Sequence, residues 1–177
     1  MSKKTKPKNR PVSAKEVEQG ITHTSDRVFY DEWTILFTIM RDKWGWGGKR
    51  LRRVWDMCDD VCNDIGKGKI KFDDILHEIK TLTGIQFPNW KAPLAEKPKN
   101  ALQLRRALNA RRRAAEDFSW CIFLYILHKS ERFGAIRLKR IHTSRIMIHE
   151  AIKQGYVTVN DLRQALKDEG NIEISEG

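Results

Sequence analysis

Three groups of side chains in this chain are of types and spacings that could do chemistry. The densest is arginine. Arg105, Arg106, Arg111, Arg112 and Arg113 fall within one short Ala- and Leu-rich stretch. A guanidinium is a planar fork that grips phosphate or carboxylate through paired N–H bonds, so such density points to an anionic partner. A second group is the stripe His142, Arg145 and His149, preceded by Arg137, Lys139 and Arg140. Histidines that are neutral near pH 7 gain charge beside phosphate. Lys49 and Arg52 occupy a matching place earlier in the chain. The third group is acidic and soft, with Asp56, Asp59, Asp60 and Asp64 interleaved with Cys58 and Cys62.

Several chemistries are excluded by spacing. Cys58 and Cys62 stand at i, i+4, but a zinc site needs two further ligands and spacing nominates none. His142 and His149 lie two helical turns apart, roughly 10 Å, too far to share one ion. No metal and no cofactor is expected. The chain has no Gly-x-Ser-x-Gly and no His-Glu-x-x-His, and no spaced carboxylate pair borders a glycine-lined cleft. A non-enzyme is therefore expected, with the aspartates either a docking patch or a solvated face.

The elements that position these groups read as all-α. The chain has 177 residues, 40% of them hydrophobic, with six tryptophans, enough for a folded core. Its net charge of +11 is unevenly placed. Residues 1–10 carry Lys3, Lys4, Lys6, Lys8 and Arg10 without an acid, and residues 88–119 carry Arg105 to Arg113 among other bases. Charge gathered on an arm and a connector suits contact with nucleic acid or another acidic partner. No apolar run approaches the roughly 20 residues of a membrane span, and the basic start lacks the apolar stretch of a secretory signal. Three cysteines form no disulfide framework, so a cytoplasmic setting is expected.

Sliding the chain against itself by 87 residues places Trp33 on Trp120, Gly47 on Gly134, Arg50-Leu51 on Arg137-Leu138, Arg53 on Arg140, Gly68 on Gly155 and Asp74 on Asp161. An ungapped register that keeps glycines and apolar spacing together indicates an internal duplication. The expected architecture is a tandem duplication of a three-helix unit joined by a basic linker helix. Its parts are a disordered arm at 1–22, a first repeat at 23–87, a proline-containing linker with the arginine-rich helix at 88–119, and a second repeat at 120–177. Thr24-Ser25-Asp26 is read as the cap of a helix over 26–43, followed by a helix from about 49 to 65. Thr158-Val159-Asn160-Asp161 reads as a capping box. The paired arginines Arg50/Arg137 and Arg53/Arg140 are expected to serve the fold, by pairing with Asp74 and Asp161, or to meet the anionic partner. Ile146 and Met147 are expected to widen a buried face, against the first repeat or across a homodimer.

The helix, glycine, β-branched residue, acid, helix order resembles an EF-hand. Calcium does not follow, because Ile65, Lys67, Ile152 and Gln154 stand where oxygen ligands are needed. The basic start, the segment WGGKRLRRV at 46–54 and GYVTVNDLRQALKDEGNIEI at 155–174 resemble small helical proteins of bacteriophages and prophages. That resemblance implies a mobile-element setting in the cytoplasm of a bacterial host cell, in which a small basic non-enzyme binds DNA or RNA as a regulator. The alternative it implies is an inhibitor of a host nucleoprotein defence complex, of the anti-CRISPR type.

Overall fold

The computed structural model describes residues 11–91 and 98–174. Among them six helices form and no strand: α1 (Ala14–Trp44), α2 (Gly48–Gly66), α3 (Phe72–Thr83), α4 (Ala101–Lys129), α5 (Ala135–Lys153) and α6 (Val159–Gly170). The helices α4, α5 and α6 begin 87 residues after α1, α2 and α3 respectively, at Ala101, Ala135 and Val159 against Ala14, Gly48 and Phe72.

Local chemistry sets these ends. The first helix starts at Ala14 rather than at 26, because Ser13 and Glu16 form a capping box that the sequence reading overlooked. Ser13 Oγ accepts from the Glu16 amide at 3.2 Å, and the Glu16 carboxylate accepts from the Ser13 amide at 2.8 Å. Thr24, Ser25 and Asp26 are therefore mid-helix rather than a cap. The arm expected over 1–22 overlaps α1 from Ala14 onward, and residues 1–10 lie outside the described residues. The box at Thr158 and Asp161 forms. Gly68 (φ +71°) and Gly155 (φ +79°) take the left-handed conformation just beyond α2 and α5, where a side chain would be strained.

The arginine-rich stretch is not a separate linker helix. It is the N-terminal half of α4, and the boundary expected at 119/120 falls inside that helix. Continuity follows from composition, since Ala, Leu and Arg favour helix and no proline or glycine interrupts residues 101–129. The exposed first half of α4 is thus anchored by a second half whose Trp120, Ile122, Phe123, Leu124, Ile126 and Leu127 are buried.

The two halves share one core. The long helices α1 and α4 pack on each other, and each packs against short helices of the other half: α1 on α5 and α6, α4 on α2 and α3. Trp33, Phe37, Leu51, Val54, Ile75, Ile79, Trp120, Phe123, Leu138, Ile141 and Leu166 belong to a single buried cluster. Each such side chain removed from water contributes about 1.5–3 kcal/mol.

The corners between helices meet each other: Trp46 and Phe133 lie edge to face at 5.9 Å. This contact accounts for the paired arginines. The Arg50 guanidinium lies 4.0 Å from the centre of the Trp46 ring, and that of Arg137 lies 5.4 Å from the centre of the Phe133 ring. Asp74 and Asp161 are not their partners. Arg50 and Arg53 instead reach across to Glu131, with Arg53 Nη2 at 2.6 Å, and Asp161 is engaged by Thr158. Ile146 and Met147 are exposed (54% and 64%) rather than buried against the first half, because α5 turns that face outward.

Candidate nucleic-acid interface

On α4, Arg105, Arg106, Arg112 and Arg113 are all exposed. At about 100° per residue they fall within about 120° of one another, on one face spanning about two turns. Arg112 Nε pairs with Glu116 at 2.8 Å, whereas Arg105, Arg106 and Arg113 form no ion pair with a described residue. Arg111 points elsewhere, its Nε donating to Ser25 Oγ on α1 at 3.1 Å. The face begins at a defined end: Asn100 caps α4 by accepting from the Gln103 amide at 3.0 Å, and Pro11 is bridged antiparallel to Asn100. The chain that carries the five N-terminal bases therefore joins the fold beside the start of α4.

Lys49 and Arg52 are exposed at the start of α2 and, with Arg53, line a groove that also includes Gly170 and Asn171. Bases in the first turn of a helix oppose that helix's own dipole. The fold resolves the conflict by bringing the carbonyl end of α6 against α2. A Cβ on Gly48 would lie 2.8 Å from the Gly170 carbonyl oxygen, so the bases accompany the negative end of α6. Lys139 and Arg140 are exposed on α5 beside Lys43, Trp44, Ile136 and Met147.

The stripe His142, Arg145 and His149 is not a phosphate-facing surface. It turns inward to a residue that the sequence reading missed, Glu32 of α1, which is 3% exposed. Arg145 Nε donates to Glu32 Oε2 at 2.7 Å, and His149 Nε2 stands 2.9 Å from Oε1. The Arg145 guanidinium also lies 4.9 Å from the centre of the Trp120 ring. Burial raises the Glu32 carboxyl, but His149 and Arg145 outweigh it and hold the group below its ordinary value. His142 accepts from Trp120 Nε1 through Nδ1 at 2.8 Å. Burial, then the Arg145 charge, lowers its pKa and favours the neutral ring. A second acid–base link, Arg163 to Asp31 at 2.8 Å, ties α6 to α1.

A signal for this network was present in the sequence. At the 87-residue register Glu32 falls on Ser119, Arg145 on Cys58 and His149 on Cys62. Where α5 carries Arg145 and His149, the long helix facing it carries an acid, and where α2 carries Cys58 and Cys62, the matched position carries a serine.

The cysteines are packing residues. Burial, then Asp59, pushes the Cys62 thiol up to about 11, and burial, then Asp117, pushes Cys121 up to about 12. Thiols so raised are poor nucleophiles and poor ligands at neutral pH. No group of three or more His, Cys, Asp or Glu among the described residues is placed to hold a metal ion. No helix among them is long and apolar enough to cross a membrane.

Compared with known proteins, the chain matches no family model, no curated protein and no solved structure.

Proposed function

We propose that this chain is a non-enzymatic nucleic-acid-binding protein of a mobile element that grips the phosphate backbone and acts as a regulator in the cytoplasm of a bacterial host. The observation that carries the reading is the arginine face of α4. Four guanidiniums share one exposed side of a helix whose other half is anchored in the core, and three of them have no carboxylate partner among the described residues. Arginine held in this way suits phosphate, which it meets with a rigid fork. Pro11, which follows the basic N-terminal stretch in the chain, is bridged to Asn100 at the start of α4.

The two halves are read as copies of one three-helix unit. The common spacing of helix starts and the reuse of a corner aromatic under an arginine, Trp46 with Arg50 and Phe133 with Arg137, support this.

A protein partner is the second reading, and one observation favours it. Ile136, Ile146, Met147 and Tyr156, all in the second half, are 54–82% exposed. With Lys139 and Arg140 among them, they suit an acidic partner surface such as that of a host nucleoprotein complex, or a second copy of the chain.

Binding of labelled duplex and single strands at low salt separates the readings. The intact chain is expected to bind, and a variant with Arg105, Arg106, Arg112 and Arg113 changed to alanine is expected to lose binding. Absence of binding by the intact chain at low salt would remove the primary reading.

A further inference from the structure

A cleft between α1 and α4 has features that phosphate binding does not use. Phe29 and Tyr30 of α1, Trp90 of the segment after α3, and Phe118 of α4 wall a space of about 440 Å³. That lies within the range of pockets that hold small molecules. The walls are braced from behind: Phe72 packs at 4.7 Å on Trp90 and at 4.6 Å on Phe118. Ser119 lines the same cleft at 4% exposure, and its Oγ has no hydrogen-bond partner among the described residues. A buried hydroxyl left unsatisfied costs about 1–3 kcal/mol. The corresponding position on the other long helix is Glu32, which accepts from Arg145 and has His149 Nε2 2.9 Å away. Arg111 and Asp26 also line the opening.

We infer that this cleft takes one unpaired nucleobase, so that the protein prefers single-stranded to duplex nucleic acid; the inference rests on the nucleic-acid reading above. Each part of the site answers a part of that ligand. Aromatic walls accept the flat face of a base, which is how sequence-tolerant single-strand binders gain affinity. The Ser119 hydroxyl, which is closed to solvent and lacks a partner among the described residues, can donate to or accept from a polar ring edge once the side chains over it part. Arg111 meets the adjoining phosphate, and Asp26 accepts from an exocyclic amino group. Arg111 stands at the cleft on the side of α4 away from Arg105, Arg106, Arg112 and Arg113, so a strand held on that face reaches the cleft by crossing over the helix.

The test uses the full chain and four labelled probes: a single strand, an abasic strand of equal length and charge, a duplex, and a free mononucleotide. The single strand is expected to bind about 5- to 150-fold more tightly than the abasic strand, the range for one stacked base. Ser119→Ala is expected to weaken single-strand binding by about 2- to 10-fold, the range for one lost hydrogen bond, while thermal stability stays equal or rises. Trp90→Ala is expected to abolish the preference over the abasic strand. Equal binding of intact and abasic strands, with binding still lost in the four-arginine variant, would overturn the base cleft and leave the phosphate reading standing. Binding of the mononucleotide alone, weakened by Ser119→Ala, would uphold the cleft and overturn the phosphate reading. Binding of none of the probes would overturn both.

Discussion

Replacing Glu32 by glutamine removes a charge from the most buried ionic network in the described structure. Glu32 and Arg145 side chains are 4% and 12% exposed, so the change leaves the arginine without its counter-charge in a site that water barely reaches. Removing one partner of a buried pair costs about 3–5 kcal/mol. With 177 residues and about 2.1 cal/mol/K of unfolding entropy per residue, that cost corresponds to a fall in Tm of about 8–13 °C. The companion change Arg145→Met costs a similar amount alone, because it leaves the carboxylate with His149 only. Combined, Glu32→Gln and Arg145→Met should recover most of the loss, since paired charges replaced by groups of similar shape are often neutral or stabilising. Thermal unfolding followed by circular dichroism on the two single variants and the double gives the coupling. A fall of less than about 3 °C for Glu32→Gln, or losses that simply add in the double variant, would refute the network.

Acidification should also destabilise the protein in two stages. The folded values of Glu32 and His142 both lie below their ordinary 4.5 and 6.5, so each contributes stability that is complete above its ordinary value and is lost as pH falls through the folded one. Urea midpoints should therefore decline below about pH 6.5 and again below about pH 4.5, and His142→Asn, which keeps an acceptor for Trp120, should remove the first decline. Gly48→Ala should lower the urea midpoint, because its Cβ would stand 2.8 Å from the Gly170 carbonyl oxygen; an unchanged midpoint would mean that the two helix ends are not in contact. Ser13→Ala should cost about 0.5–2 kcal/mol if the capping box holds the start of α1, measured by denaturant unfolding. Cys58 and Cys121 should react with a thiol reagent at pH 8 only after unfolding, and rapid reaction in the native state would contradict their burial.

The sequence made the helices legible because glycine, capping residues and apolar period act locally. The end of α2 at Gly68, the corner at Gly47 and the box at Thr158 needed no knowledge of the rest of the chain. What it hid was partnership. Nothing near Arg145 in the chain announces Glu32, which lies 113 residues away, and a basic stripe that is buried reads the same as one that is exposed. The start of α1 is ambiguous in the sequence for a different reason: Thr24-Ser25-Asp26 has the residue types of a cap as Ser13 does, and the box at Ser13 and Glu16 together with the packing of α1 on α4 carries the helix through it. The arginine face of α4 was legible as composition, but its confinement to one side, with Arg111 turned to Ser25, came from the helix geometry.

The most direct test of the central claim is the salt dependence of duplex binding, compared between the intact chain and the variant with Arg105, Arg106, Arg112 and Arg113 changed to alanine. Each phosphate contact contributes about 0.9 to the slope of log K against log salt, so the four arginines should account for a difference of about 3 to 4 in slope. Equal slopes for the two proteins would contradict phosphate binding by this face.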